Sequence, residues 1–343
     1  MKTAVVLFNL GGPDSLDAVQ PFLENLFSDP AIISLPGIIR RPLAKLIASR
    51  RAPVARRIYE ELGGKSPILP ETRRQAEALK SELEIRGLAV ECFIAMRCWH
   101  PFTKETVENV KQFAPDQVVL LPLYPQYSTT TGRSSLAEWR SEFARQRLTI
   151  PVHEICCYPF EHGFIAALTD ILLQGFERTK PDIAYRVLFS AHGLPKRIVG
   201  RGDPYQWQVE RTAGAVVEHL KSRISDWTLC YQSRVGSLEW IGPATDSEVR
   251  RAGAEGKGLI IVPVAFVSEH SETLVELDIE YLKLAERSGV RDYIRLPAVG
   301  THPAFIGGLA NLIEAASHSE KPVTCAPARI CPAGRICEQE MSV

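Results

Sequence analysis

The residues best suited to chemistry lie between Val262 and Tyr281, where a short apolar run passes into a segment that is acidic from its first turn. Glu269, Glu272, Glu276 and Glu280 follow at intervals of three, four and four residues, so on a helix they form one stripe, beside an apolar stripe of Leu274, Leu277, Tyr281 and Leu284. The helix dipole favours carboxylates near an N-terminus, and a solvated acidic face is the plain reading. Like charges four residues apart repel, however, so the stripe reads better as a conduit for cations or protons. A second group is Phe189-Ser190-Ala191-His192-Gly193-Leu194-Pro195, in which His192 stands between a strand end and a tight turn. A lone histidine is commonly a satisfied core residue. Here the backbone aims the ring, and the intrinsic pKa of imidazole suits proton transfer near neutrality. Opposite a row of carboxylates, His192 can collect protons or hold a divalent metal. No His-Glu-x-x-His spacing is present, which argues against a tight structural zinc.

Side chains so placed need elements to aim them. Apolar, β-branched-rich runs at 4–10, 89–96, 117–123, 152–156, 184–190, 228–232, 259–266 and 293–296 predict eight strands, and segments of helical periodicity such as 71–86, 102–113, 136–146, 164–178 and 207–223 separate most of them. Continuous apolar strands alternating with helices indicate an α/β fold with parallel sheets covered on both faces. Four strands precede about residue 157 and four follow it. The expected division is therefore a lobe over 1–157, a similar one over 158–318 and a tail over 319–343, with a cleft between the lobes. Ligands of parallel sheets bind beyond the carboxyl ends of the strands. Those positions hold Asn9 to Pro13, Arg97 to Pro101, Tyr124 to Ser128, Ala191 to Pro195, Ser233 to Gly236 and Val267 to His270. Residues 20–60 interleave apolar side chains with Arg40, Arg41, Lys45, Arg50, Arg51, Arg56 and Arg57. They read either as a helical pair with a solvated basic face or as an apolar, basic lip that grips an amphiphilic anion or touches a membrane surface.

With 343 residues the chain exceeds the size of one core, and a formal charge of +0 excludes a nucleic-acid binder held by phosphate neutralisation. No uncharged apolar run is long enough to cross a bilayer; the longest, Gly258 to Ser268, fits a buried strand. The N-terminus reads as the first strand rather than a signal peptide. Cys92, Cys98, Cys156, Cys157 and Cys230 are scattered, whereas Cys325, Cys331 and Cys337 crowd the end, a pattern of reduced core thiols plus a tail site in a cytosolic protein. Gly11-Gly12-Pro13 and Gly63-Gly64-Lys65-Ser66 match neither nucleotide-binding glycine motif.

Taken in order, Asn9 to Pro13, Gly63 to Ile68, Tyr124 to Ser128, Ser190 to Pro195, Arg201 to Tyr205, Gln232 to Gly236, Glu239 to Pro243 and Ser268 to Tyr281 resemble the ferrochelatase family over nearly the whole chain. The resemblance implies two Rossmann-like lobes, each with a parallel four-stranded sheet flanked by helices, around a porphyrin cleft. It implies a lyase that inserts Fe2+ into protoporphyrin IX in the terminal step of haem biosynthesis, cytoplasmic or peripheral at the inner membrane through its lip. In that family His192 matches the base or metal ligand, with Glu272 its partner across the cleft and also a metal ligand, while Glu269, His270 and Glu276 complete an acidic relay. Arg51, Tyr59 and Ser66 match porphyrin contacts; Leu10, Arg97, Tyr124 and Trp240 match the pocket wall. Val54 replaces a basic residue often found after the paired arginines, and Cys98 an aromatic one expected after Arg97. The tail cysteines Cys325, Cys331 and Cys337 resemble an extension that binds a [2Fe–2S] cluster in some members. A cluster needs a fourth thiolate. Where animal relatives supply one this chain has Thr129, so Cys157, or its neighbour Cys156, is expected to substitute; unliganded thiols and zinc are the alternatives. A chelatase for another metal such as cobalt, or a non-catalytic tetrapyrrole carrier, is the competing function.

Overall fold

A computed structural model describes residues 1–220, 223–234, 236, 238–319, 323–325 and 330–337. Among them the strands are β1 (Lys2–Asn9), β2 (Ala89–Met96), β3 (Gln117–Pro122), β4 (Val152–Cys157), β5 (Tyr185–His192), β6 (Trp227–Gln232), β7 (Gly258–Pro263), β8 (Tyr293–Arg295) and β9 (Val323–Cys325). They form two parallel sheets of order β2-β1-β3-β4-β9 and β6-β5-β7-β8, with helices in most crossovers. Four strands were expected in each sheet. The first sheet has these four, and the tail adds the short β9 at its edge, backbone of Cys325 opposite Cys157.

The chain divides into two compact units, one of residues 1–158, 309–330 and 337–343, the other of 159–308 and 331–336. In the first, Val6, Phe8, Val118 and Leu120 pack against Val107, Val110, Leu136 and Trp139, with Phe8 edge-on to Trp139 at 5.8 Å between ring centroids. In the second, Leu188, Leu259 and Ile261 pack against Val249, Ala252, Leu277 and Ala285. Burying each such aliphatic side chain contributes about 1.5–3 kcal/mol, which makes the strand ends firm platforms. β1 and β5 each lie between two strands, and the next strand in the chain pairs on one side and the following one on the other. The chain therefore reverses direction across the sheet beside β1 and beside β5, where an open α/β sheet forms a ligand crevice.

Three limits differ from the sequence reading. β5 runs on to His192, because Gly193 donates its N–H to the Gln232 carbonyl and keeps the chain against β6. β7 stops at Pro263 rather than 266, before a turn. The helix expected from Glu269 begins only at Glu272 and is π-helical over Glu272–Glu280, so Glu269 is not on it.

Residues 19–61 of the first unit form helices Val19–Phe27 and Gly37–Glu61. Ala44, Ala48 and Ala52 are buried along the longer one at intervals of four, and Ala48, Ala52 and Tyr59 pack with Val19, Phe22 and Leu23. Small residues let two helices approach closely, so the stripe of alanines, with low individual hydrophobicity, still makes a packed seam. Pro42 and Pro53 fall on the exposed side of this helix.

Candidate active site

His192 is the last residue of a central strand, and Glu272 opens the π-helical segment that follows β7. Glu272 was expected across a cleft from His192. Instead both belong to the second unit and touch, with Nδ1 of His192 2.9 Å from Oε2 of Glu272. The same carboxylate oxygen lies 3.5 Å from Nε2 of His270. One carboxylate is thus shared by two imidazoles, while Nε2 of His192 has no hydrogen-bond partner among the described residues. The His192 backbone carbonyl accepts from the Tyr205 hydroxyl at 3.1 Å, which fixes the ring's base. Burial opposes charge on His192, but the Glu272 carboxylate outweighs it and holds this imidazole above the usual histidine range. Burial likewise opposes the charge on Glu272; His192, then His270, outweigh it and hold the carboxyl well below the usual range.

Gln232, fully buried at the end of β6, ties this pair to the sheet. Its Oε1 accepts from the Ser190 hydroxyl at 2.7 Å, and its Nε2 donates to the Glu272 backbone carbonyl at 3.0 Å and to Glu276 at 3.1 Å. Glu276 also accepts from the Ser233 N–H at 2.8 Å, from the Ser233 hydroxyl and from the Tyr281 hydroxyl at 2.9 Å. Both its oxygens are therefore engaged by the protein. Glu280 sits at the exposed end of the segment, its carboxyl raised by partial burial and by the charge of Glu276. Glu269 is bonded elsewhere. It accepts from Arg295 at 2.6 Å and from the Ala298 N–H at 3.0 Å, so the four acids divide into one held by two imidazoles, one bonded at both oxygens, one exposed and one paired with an arginine. Trp240 lies close to the same strand end, bridged to Pro195. A Cβ on Gly193 would stand 2.9 Å from the Gln232 carbonyl and 3.2 Å from the indole, so only glycine fits between them.

The other expected contacts lie in the first unit. Leu10 follows β1, its N–H bonded to Asn9 Oδ1 and its carbonyl to the Cys98 N–H, both at 2.9 Å. Arg97 follows β2, but its guanidinium is spoken for. It meets Asp29 at 3.0 Å, Glu138 at 2.7 Å and Ser134 at 2.8 Å, and so braces the end of the first lip helix against the sheet. Ser66 is buried, with its hydroxyl accepting from the Ile68 N–H at 3.3 Å and its own N–H donating to the Pro13 carbonyl at 2.7 Å. A Cβ on Gly12 would meet that hydroxyl at 2.4 Å, and Gly11 has a φ of +85°, so each glycine has a local steric reason. Tyr59 is buried in the helix seam and Tyr124 packs on the sheet core. Arg51 is exposed, its guanidinium 5.7 Å from the centre of the Phe27 ring. Cys98, where an aromatic was expected, is fully buried, and burial pushes its thiol up to about 12.

Of the cysteines considered for a cluster, Cys156, Cys157, Cys331 and Cys337 are buried, and Gln208 Nε2 donates to Cys331 Sγ at 3.0 Å. The side chain of Cys325 lies outside the described residues. Among the described residues no three His, Cys, Asp or Glu side chains gather as a metal site.

Sequence reasoning passed over Gln232, Tyr205 as a support of His192, and Arg295. Gln232 and Arg295 carried a usable signal: each is a polar residue at the carboxyl end of a buried strand, where an unpartnered polar group is costly.

The two α/β units, each built on a parallel sheet, share the fold of solved chelatases, and the second carries the histidine–carboxylate pair at a strand end. The fold resembles that of the sirohydrochlorin chelatase SirB from Bacillus subtilis subspecies spizizenii in complex with cobalt, with a TM-score of 0.52 at 12% identity over 93% of this chain and 97% of that one. It also resembles SirB from Bacillus subtilis with Fe3+, with a TM-score of 0.51 at 14% identity over 93% and 96%. A model of the ferrochelatase family matches residues 2–317, and the chain belongs to that family. Among relatives, the ferrochelatase of Caulobacter vibrioides is 56% identical over 91% of this chain and 89% of that protein, and that of Hyphomonas neptunium 48% identical over 97% and 93%. The chain is accordingly a ferrochelatase-type lyase of haem biosynthesis.

Proposed function

We propose that this chain inserts Fe2+ into protoporphyrin IX, with His192 taking pyrrole protons at Nε2 and Glu272 holding the imidazole. The carrying observation is the 2.9 Å bond from Nδ1 of His192 to Glu272, which leaves the other ring nitrogen open. Insertion replaces two N–H protons by one dication, so the charge of the macrocycle core is unchanged and two protons must leave. A neutral imidazole whose Nδ1–H is anchored on a carboxylate presents a lone pair at Nε2, and the imidazolium that results is stabilised by the same carboxylate. His270 gives that carboxylate a second contact. His192 and Glu272 are also the groups offered to iron as a transient substrate ligand set. Leu10, Arg51, Tyr59, Ser66, Arg97, Tyr124 and Trp240 are assigned to the porphyrin side by family resemblance. For Arg97, Ser66 and Tyr59 the bonds and burial described above favour support of that surface over direct contact.

The test is metal insertion by His192→Ala, followed by absorbance, beside porphyrin binding followed by fluorescence quenching. Insertion is expected to fall by at least about 100-fold with porphyrin binding retained. Unchanged turnover removes the role of His192, and a wild-type protein that binds porphyrin without inserting iron is a carrier.

A [2Fe–2S] cluster is proposed on Cys157, Cys325, Cys331 and Cys337. The backbone pairing of Cys157 with Cys325 supports it; among the described side chains Cys157, Cys331 and Cys337 do not gather as a metal site, so binding would have to bring them together. Bound, the group would add thiolate-to-iron absorption and tie the tail to the fold. Protein made anaerobically with ample iron should be coloured, and Cys157→Ser should bleach it while Cys156→Ser does not; a colourless wild type under those conditions ends the cluster assignment. Along helix Gly37–Glu61, exposed isoleucines beside cations support contact with the inner membrane surface, and the cytoplasmic location proposed with it rests on the family resemblance. Among the described residues no helix is long and apolar enough to cross one.

A further inference from the structure

We propose that Arg295, at the end of β8, is the positioning residue that fixes the π-helical segment so that Glu272 meets His192. The inference rests on the reaction proposed above. Arg295 is only 11% exposed, and its guanidinium reaches both sides of Glu272 in the chain. Nε donates to Asp278 at 2.6 Å, and Nη2 to the other oxygen of the same carboxylate. Nη1 donates to Glu269 at 2.6 Å and more weakly to the Leu296 carbonyl at 3.3 Å. Glu269 precedes the segment and Asp278 lies within it, so one side chain brackets the residues that carry His270 and Glu272.

A second tie comes from the same strand, where the Tyr293 hydroxyl donates to the Leu277 carbonyl at 2.7 Å. π-Helical hydrogen bonding is poorer than α-helical and persists where tertiary contacts hold it, and β8 supplies such contacts here. The planar guanidinium meets Asp278 through two parallel bonds while a third donor reaches Glu269; a lysine ammonium keeps the charge but cannot reproduce the bidentate bond. In this account Glu269 and Asp278 support the site from behind, and Glu272 alone of the three carboxylates faces the reacting groups. Their loss should act on the chemical step, because a misplacement of about 1 Å costs up to about 100-fold in rate while leaving ground-state binding of a large ligand intact.

The experiment compares the full chain with Arg295→Gln, Arg295→Lys and, as a control, Arg186→Gln. Arg186 is an equally buried arginine in the same unit, bound to Asp226 and Glu255 at 2.8 Å each, but at the start of β5, away from the strand ends that carry the site. Steady-state insertion, porphyrin binding and thermal unfolding are measured for each. Arg295→Gln should lower kcat by about 10- to 100-fold with KM for porphyrin nearly unchanged, Arg295→Lys should recover part of it, and Arg186→Gln should lower Tm without a matching loss of kcat. If Arg295→Gln does not fold, Asp278→Asn and Glu269→Gln take its place under the same criterion. A folded variant with wild-type kcat, or a loss shared equally by Arg186→Gln, overturns the clamp. An inactive wild type overturns the reaction instead, so the two failures are distinct.

Discussion

At the scale of single residues, what separates a reactive acid from a supporting one is how many of its lone pairs the protein already uses. Glu272 meets only the two imidazoles through its side chain, whereas Glu276 accepts from four donors on Gln232, Ser233 and Tyr281. An amide in place of Glu272 removes the charge that stabilises a protonated His192. An amide in place of Glu276 leaves most of its hydrogen bonds and turns one donor towards donors. Glu272→Gln should therefore slow insertion by about 100-fold, and Glu276→Gln by less than about tenfold while costing about 1–3 kcal/mol of stability. Initial rates and urea midpoints of the two proteins check this; equal losses of rate would place Glu276 back among the reacting groups.

At the scale of elements, strands were readable because parallel strands covered on both faces show unbroken apolar runs, as β1, β3, β5 and β7 do, each buried along nearly its whole length. The acidic segment was readable as a helix for the same reason: Leu277 and Tyr281 pack on the second core. Its start and its pitch were not. A period of four fits α- and π-helix alike, and Glu269 at the head of the stripe is diverted by Arg295, which stands 26 positions on in the sequence. Arg97 was placed correctly after β2, but its three partners, Asp29, Ser134 and Glu138, come from distant stretches that no local pattern links. β9 escaped notice because three residues at a sheet edge carry too short a pattern to distinguish from a tail. Local pattern thus revealed strands and a helical segment, whereas of the long-range pairings only that of His192 with Glu272 was anticipated, and that through the family resemblance.

At the scale of the whole molecule, 40 basic and 40 acidic side chains cancel, so no net field draws this protein to an anionic surface. Any such attraction must be local. Helix Gly37–Glu61 carries Arg40, Arg41, Lys45, Arg50, Arg51, Arg56 and Arg57 against only Glu60 and Glu61, a local excess of five positive charges. Beside them Ile38 is 84% exposed and Ile39 55%, an arrangement that costs free energy in water and is relieved by insertion among lipid headgroups. Each cation near an anionic bilayer contributes about 1 kcal/mol at low salt, and burying one isoleucine about 2 kcal/mol. The protein should therefore sediment with phosphatidylglycerol vesicles and much less with phosphatidylcholine vesicles, and salt should release it as the charges are screened. Ile38→Glu removes the apolar contribution and adds a repelling charge, so its partition should fall by at least about tenfold with insertion of iron into dispersed porphyrin unaffected. Equal sedimentation of that variant, or equal binding to both kinds of vesicle, would show that this helix is a solvated face and nothing more.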